Sequence, residues 1–564
     1  MNDTLIKSKL IQPILALILA EILLQCWQGP HAAGATGADV LRPVADEIRY
    51  EATLPNNTDV GHPLPLAAHW NTGYLPNGFS PDYQISMIQK GHFLLPWFDL
   101  RPPSEKPKVE YYENAIKKAA VLKLPISFSS TQWERLLTDD QKYFSLPPEN
   151  NPNVIDVNGN VLSKVSPFGP LEPWLEVGKT WTSTSLLQQL QAWYPDPPAV
   201  LFISNNEHAK LQWTEVETSK RYMDKYGRGK DDNFKRDVVG KGWITRYRNL
   251  QKGMVAGLAM QSWRNVAKFI GYGAFGSRAF GRWAGWINYS LYSPGRIDPW
   301  PLAWDGATPS FYVDSWSSIT DFTVWSPEIE AMNWIFMLNE AHQLNPEFWF
   351  EISTWDGHEP SKENDKRRFY ANQGQTYDPE RYGGMVQFGM WLLRPRVVRD
   401  FRYWTDTVQD AEPYFLPIVN AVDRVHTNPT LRKFWRKGNL VANAAYQHPY
   451  QTNVPEEYKS VPRWFLLNTS LDPKRPWSLS TELPVFSLAL VLGQAPQRQW
   501  LVYAYSPLQD RSNVQVTIPG YGPIGIGVRP SGVFYEVSED TQEVKEVTHS
   551  DRLSPPSGLV VKQD

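Results

Sequence analysis

The chain has 564 residues, enough for several domains of about 150 residues or for one large barrel carrying insertions. Charged residues make up 20% and aromatic residues 13%, and 56 basic against 59 acidic side chains leave a net charge of −3. These values exclude a disordered, collagen-like or multi-span membrane chain, and the near-zero balance gives no electrostatic reason to expect nucleic-acid binding.

Residues 1–35 read as a signal peptide. Lys7 and Lys9 form a positive start, residues 11–24 a mostly apolar run broken by Pro13 and Glu21, and Ala33-Gly34-Ala35 a small-x-small cleavage site. The run is short for a bilayer span and contains an acid, so cleavage is expected instead of a stable membrane anchor, and with it a secreted or periplasmic location. The single cysteine, Cys26, falls inside this segment. The mature chain would then have no disulfide and depend on its own core.

Residues 36–459 are expected to form a (β/α)₈ TIM barrel, an α/β fold. Apolar runs rich in β-branched and aromatic residues recur at 64–70, 92–100, 125–129, 199–204, 267–271, 309–314, 347–352 and 385–393, separated by longer helix-like stretches. Ser326-Pro327-Glu328 announces one helix by an N-cap, a proline at the first helical position and an acid in the first turn. Residues 412–435 have helical character as the element closing the barrel. From 460 to 564 the pattern changes to short runs punctuated by Pro519-Gly520 and Pro530-Ser531-Gly532, which predicts a C-terminal all-β, sandwich-like domain. Packing against the barrel for stability and binding of carbohydrate are the two roles open to it.

In barrels of this kind catalytic groups occupy the C-terminal ends of strands. The fourth run leads into Asn205-Asn206-Glu207-His208, and the seventh ends in Glu351-Ile352-Ser353-Thr354-Trp355-Asp356. A carboxyl directly after an apolar strand is costly to bury without partners. Two in one fold suit glycosidic cleavage, which needs one protonated carboxyl to release the leaving oxygen and one carboxylate to attack the sugar or activate water. For either Glu alone, capping a helix or binding a nearby Arg is the competing explanation.

Asn206-Glu207 after the fourth strand and Glu351 on the seventh resemble the signature of clan A retaining glycoside hydrolases, and the general pattern is loosely similar to bacterial agarase- and porphyranase-like enzymes acting on marine galactans. The resemblance covers roughly residues 60–455. It implies that Glu207 is the acid/base, Asn206 bonds the sugar 2-hydroxyl, and Glu351 is the nucleophile of a retaining double displacement. A carboxyl separation of about 5 to 5.5 Å goes with that mechanism.

Further sugar contacts are expected at His69, Trp70, Asp99, Arg101, Trp133, Tyr272, Asp314, Trp316, Trp355, Asp356, His358, Trp391 and Arg394. Aromatic faces match the apolar face of a sugar ring, and charged groups bond its hydroxyls. A basic run from Lys220 to Lys241 could meet an anionic polysaccharide, although the interspersed acids favour a solvated helix and loop. Gly271-Tyr272-Gly273-Ala274-Phe275-Gly276 matches a dinucleotide fingerprint, but Arg-, Gly- and aromatic-rich residues follow it instead of a smooth helix. No His-Glu-x-x-His, Gly-x-Ser-x-Gly or Walker sequence is present. The expectation is therefore an exported glycosidase without cofactor or metal, acting on a polysaccharide or oligosaccharide, with a polysaccharide lyase and a non-catalytic carbohydrate-binding barrel as alternatives.

Overall fold

The computed structural model describes residues 60–70, 94–99, 106–129, 135–205, 209–272, 300–313, 317–319, 322–325, 327–357, 365–372, 374–401, 408–442, 466–469, 485–549 and 551. Its first ten barrel segments are short and apolar. They are β1 (Leu66–His69), β2 (Leu94–Leu95), β3 (Trp97–Asp99), β4 (Ile126–Ser129), β7 (Val200–Asn205), β8 (Ala267–Tyr272), β9 (Gly306–Ala307), β10 (Ser310–Tyr312), β13 (Trp349–Trp355) and β14 (Val397–Asp400). All pair in parallel, in the order β2-β1-β14-β13-β9-β8-β7-β4-β3, with β10 also on β13. Because β2 and β3 are one run broken at Pro96, and β9 and β10 another, the segments make eight strand runs in a nearly closed parallel barrel, in agreement with the sequence. Pro96 has no amide hydrogen to give, and its carbonyl accepts from the Ser127 backbone at 2.9 Å as the second run changes partner.

Two hairpins, β5 (Asn153–Ile155) with β6 (Val161–Val165) and β11 (Ser317–Ile319) with β12 (Phe322–Trp325), lie outside this ring. The eighth strand requires a correction. Residues 385–393, read as a strand, belong to the helix Pro379–Leu393, which Asp378 caps through the Arg381 amide and Pro379 opens. From Tyr382 to Leu393 this helix is buried on all sides, so it shows no amphipathic period. The true eighth strand is β14, whose charged Arg399 and Asp400 hid it.

After the helices Val408–Thr427 and Pro429–Lys437 the chain forms two antiparallel sheets. One joins β15 (Asn439–Leu440), β17 (Phe486–Leu492), β18 (Gln499–Tyr505), β21 (Val533–Ser538) and β22 (Val544–Glu546). The other joins β16 (Asn468–Thr469), β19 (Arg511–Ile518) and β20 (Gly522–Val528). Alternation along β17 and β18 divides their side chains between two cores. Ala489, Trp500, Val502 and Ala504 pack with Val516, Ile524 and Ile526 of the smaller sheet, while Phe486, Leu488, Leu501, Tyr503 and Tyr505 join the core shared with the barrel. Close approach there depends on Gly384, where a Cβ would lie 2.0 Å from the Pro530 carbonyl. Beside it Glu328 is buried, accepting from Tyr505 and facing Lys366 Nζ at 3.5 Å. Glu328 thus belongs to the joint between barrel and sheet, beyond the first-turn role read from sequence.

Two histidines serve the opposite end of the barrel, where strands begin. His342 donates from Nε2 to the Phe348 carbonyl at 3.3 Å. Burial, and to a smaller extent Arg396, pushes its pKa down to about 4. Burial lowers His62 as well, aided by Arg394, His342 and Arg396. Both rings are therefore neutral in the fold at pH values where the unfolded chain begins to take up protons. Their contribution is complete above about pH 6.5 and is lost as pH falls toward 4, by on the order of 3 kcal/mol for His342. Melting temperature followed between pH 7 and pH 4 should fall more steeply in the parent chain than in His342→Gln.

Candidate functional site

Period-two alternation places one face of each barrel strand inside. Contacts between strands that are not neighbours identify that face. Arg399 on β14 reaches Ser127 on β4 at 3.5 Å and lies over the ring of Trp97 on β3 at 4.7 Å. Trp70, just after β1, meets the Tyr272 ring of β8 at 5.7 Å and donates to Ser353 Oγ of β13 at 2.7 Å.

Deep in this interior is an ion pair. Arg399 Nε donates to Glu351 Oε2 at 2.9 Å and Nη2 to Oε1 at 3.2 Å, and Oε1 also accepts from Trp349 Nε1 at 2.8 Å. Both partners are 0% exposed. Burial of two charges is tolerated here because a forked guanidinium meets a carboxylate two-on-two and the indole supplies a third donor. Glu351 is consequently not at a strand end as read from the sequence: β13 starts at Trp349, two residues after the start of the expected strand, and continues to Trp355. It stands one layer below the mouth and has the arginine partner that was the competing explanation for a lone carboxyl.

Above it lies a ladder of neutral groups. Ser353 Oγ is 3.3 Å from Tyr312 OH, which is 3.3 Å from Tyr272 OH, which is 2.8 Å from Ser310 Oγ. Burial pushes the Tyr312 hydroxyl well above the usual phenol range, with the neighbouring Tyr272 adding to the effect. Phe401 stacks on Tyr312 at 5.4 Å, and Trp355 meets both edge-on at 5.5 and 5.9 Å.

Of the residues expected at the site, Trp70, Tyr272, Glu351 and Trp355 share the interior face. Asp356 follows Trp355, fully buried, and accepts from Arg367 Nη2 at 2.8 Å. Asp99 ends β3. Asn206, Glu207, Arg101, Trp133, Asp314, Trp316 and His358 lie outside the described residues. Three others are held elsewhere. His69 is on the outer face of β1, 3.5 Å from Asp400 and edge-on to Phe415 at 5.0 Å, because successive residues of a strand point to opposite sides. Trp391 packs between Trp435 and Phe534, both at 5.2 Å. Arg394 ends the misread helix in a left-handed conformation and donates to the carbonyls of Gly438 at 2.7 Å and Trp435 at 3.2 Å. It precedes β14, at the end of the barrel away from the mouth.

Sequence reading missed Ser310, Tyr312, Ser353 and Arg399. Polar residues repeating every second position inside apolar strands, as in Glu351-x-Ser353 and Ser310-x-Tyr312, were the available signal. The basic run is largely consumed locally: Lys220 pairs with Asp224 and Lys241 with Asp237 at 2.8 Å, Lys235 with Glu217 at 3.2 Å, Arg221 with the Asn151 and Asn153 carbonyls, and Arg236 covers Trp213. Among the described residues no group of three or more His, Cys, Asp or Glu could hold a metal ion, and no helix is long and apolar enough to cross a membrane.

Strand pairing and inward-facing side chains define the class of the molecule as a parallel eight-run barrel with a polar, aromatic mouth. No family model and no curated protein matches the chain. Among solved structures it is similar to a modular endo-β-1,4-mannanase from Cellulomonas fimi at 9% identity, covering 87% of this chain and 98% of that one with a TM-score of 0.33. It is similar to a family 36 α-galactosidase from Geobacillus stearothermophilus, complexed with raffinose, at 11% identity and a TM-score of 0.35, covering 90% of this chain and 56% of that one. A third likeness, to BuGH86 in complex with neoagarooctaose, has 10% identity, coverage of 86% and 72%, and a TM-score of 0.28. Identities and scores of this size define no family, and the barrel stands on its own strand pairing.

Removing Arg399 alone would strand a buried carboxylate. Arg399→Met should cost about 3–5 kcal/mol in urea unfolding, and adding Glu351→Leu to it should recover part of that loss.

Proposed function

We propose that the chain is an exported glycoside hydrolase that cleaves a polysaccharide by a retaining double displacement, with Glu207 as acid/base, Asn206 on the sugar 2-hydroxyl and Glu351 as nucleophile. The observation that carries this reading is the register of β7. Asn205, its last residue, pairs with Tyr272, whose hydroxyl belongs to the ladder that reaches Ser353 on the strand of Glu351. β7 therefore ends at the level of the polar mouth, one residue before Asn206-Glu207 in the sequence. There an acid could protonate a leaving glycosidic oxygen while the carboxylate on β13 approached from below. Arg101, Trp133, Asp314, Trp316 and His358, which come after strand segments in the sequence, would complete the sugar contacts. A marine galactan is the substrate suggested by the resemblance to agarase-like enzymes.

A second reading is favoured by the saturation of Glu351. With Arg399 and Trp349 on both oxygens, its work would be to neutralise Arg399, and the barrel would bind carbohydrate without cleaving it.

Reducing-end release from neutral and sulfated galactans, mannans, xylans and β-glucans separates the two. On the polymer that the parent chain cleaves, Glu207→Ala and Glu351→Gln should each lower turnover by about 10²–10⁴-fold, and the first-formed anomer seen by proton NMR should retain its configuration. Turnover surviving in both variants would remove the assigned pair, and binding without any release would select the second reading.

A further inference from the structure

We infer that the mouth formed by β8, β10 and the end of β13 is a subsite for an uncharged sugar ring, walled by Tyr272, Tyr312, Trp355 and Phe401, with the indole N–H of Trp355 as a donor to the sugar. The inference rests on the hydrolase reading only for the statement that this sugar is a substrate.

The first observation concerns hydrogen bonding. Trp355 is 8% exposed, and its Nε1 has no partner within the protein. A donor shielded from water and lacking an acceptor weakens the empty fold, and a ligand oxygen would satisfy it. Buried indoles at Trp181, Trp304 and Trp334 share that state, but they belong to helices or to the segment before β9. Of these four indoles Trp355 is the one that ends a barrel strand on the inward face, where a (β/α)₈ fold places its ligands.

The second observation is the shape and polarity around it. Phe401 and Tyr312 stack nearly parallel, 24° apart, and Trp355 stands at 78° and 86° to them. Apolar ring faces thus adjoin a run of hydroxyls at Tyr312, Tyr272, Ser310 and Ser353. Each hydroxyl carries one hydrogen and two lone pairs, so the ladder can reverse its donors and acceptors to suit a sugar hydroxyl of either sense.

Charge decides the substrate class. The charged groups described at this end of the interior are already matched: Glu351 with Arg399, and Asp356 with Arg367. A sulfate or uronate placed against the wall would lose its water and, among the described residues, find no cation there unless it broke one of these pairs. A neutral pyranose asks only for ring faces and hydroxyl partners, which the wall supplies.

The test uses the full chain with tryptophan fluorescence titration and initial rates. The probes are mannohexaose, xylohexaose, cellohexaose and desulfated carrageenan oligosaccharides, set against sulfated carrageenan oligosaccharides and oligogalacturonate. At least one neutral probe should bind, with the charged ones weaker by about tenfold or more. Trp355→Phe, which keeps a ring and removes the N–H, and Tyr312→Phe should each weaken the neutral probe about three- to tenfold, raising KM more than they lower kcat, with no fall in melting temperature for Trp355→Phe. Neutral binding without cleavage supports the subsite while removing the hydrolase reading. Tighter binding of a charged probe, no binding of any probe, or a Trp355→Phe chain that binds as tightly as the parent overturns the subsite.

Discussion

A carboxylate and a guanidinium on adjacent strands, both turned into a closed ring of backbone, have only each other and nearby side chains for solvation. Glu351 and Arg399 meet this constraint with two hydrogen bonds between them, a third from Trp349, and the rings of Trp97 and Trp70 against the guanidinium. Arg399 also touches β4 through Ser127, so one side chain links strand runs far apart in sequence. The pair sets the floor on which the neutral ladder of Ser353, Tyr312, Tyr272 and Ser310 is built. It also fixes Trp70, held between the guanidinium and Ser353. A single electrostatic match therefore orders the layer below the mouth, on which the neutral ladder rests.

The second organising feature is a sheet buried on both faces. β17 and β18 send alternate residues to the smaller sheet and to the helices of the barrel, and this accounts for their almost continuous apolar sequences. The helix Pro379–Leu393 is pressed between barrel and sheet, with Gly384 giving room for Pro530 and Glu328 accepting from Tyr505 across the joint. A lysine, Lys366, is held in the same apolar joint next to Met385 as well as Glu328, and burial lowers its pKa. The sheet is thus part of the wall around the barrel helices as much as it is an appended unit.

Much of the barrel was legible because parallel strands covered on both sides are written as short apolar runs. Residues 199–204 and 267–271 lie within one residue of β7 and β8. Legibility failed where burial removed periodicity. An all-round apolar helix at Pro379–Leu393 looked like a strand, and the real strand, Val397–Asp400, carries two charges that only tertiary partners make tolerable. The same failure shifted Glu351 from strand end to strand interior, since the apolar run before it and the polar residues after it suggested a boundary that the backbone does not observe. His69 and Trp70 show the limit of reading strand ends from composition. They are adjacent in sequence, yet the pleat sends one to the helices and the other to the interior.

The strand pairing also governs the order in which the chain can become itself. β1 can pair with β2 early, but it reaches its other neighbour only when residue 397 has been made, since Leu66 pairs with Val397. The helix just before that residue then remains without its outer cover until Phe486, Leu501 and Phe534 follow. On the ribosome, the barrel would pass through a stage with its strand runs paired and the largely apolar stretch 382–393 of this helix facing water. β17, β18 and β21 would then cover, late in synthesis, an apolar surface of the kind that otherwise recruits other copies.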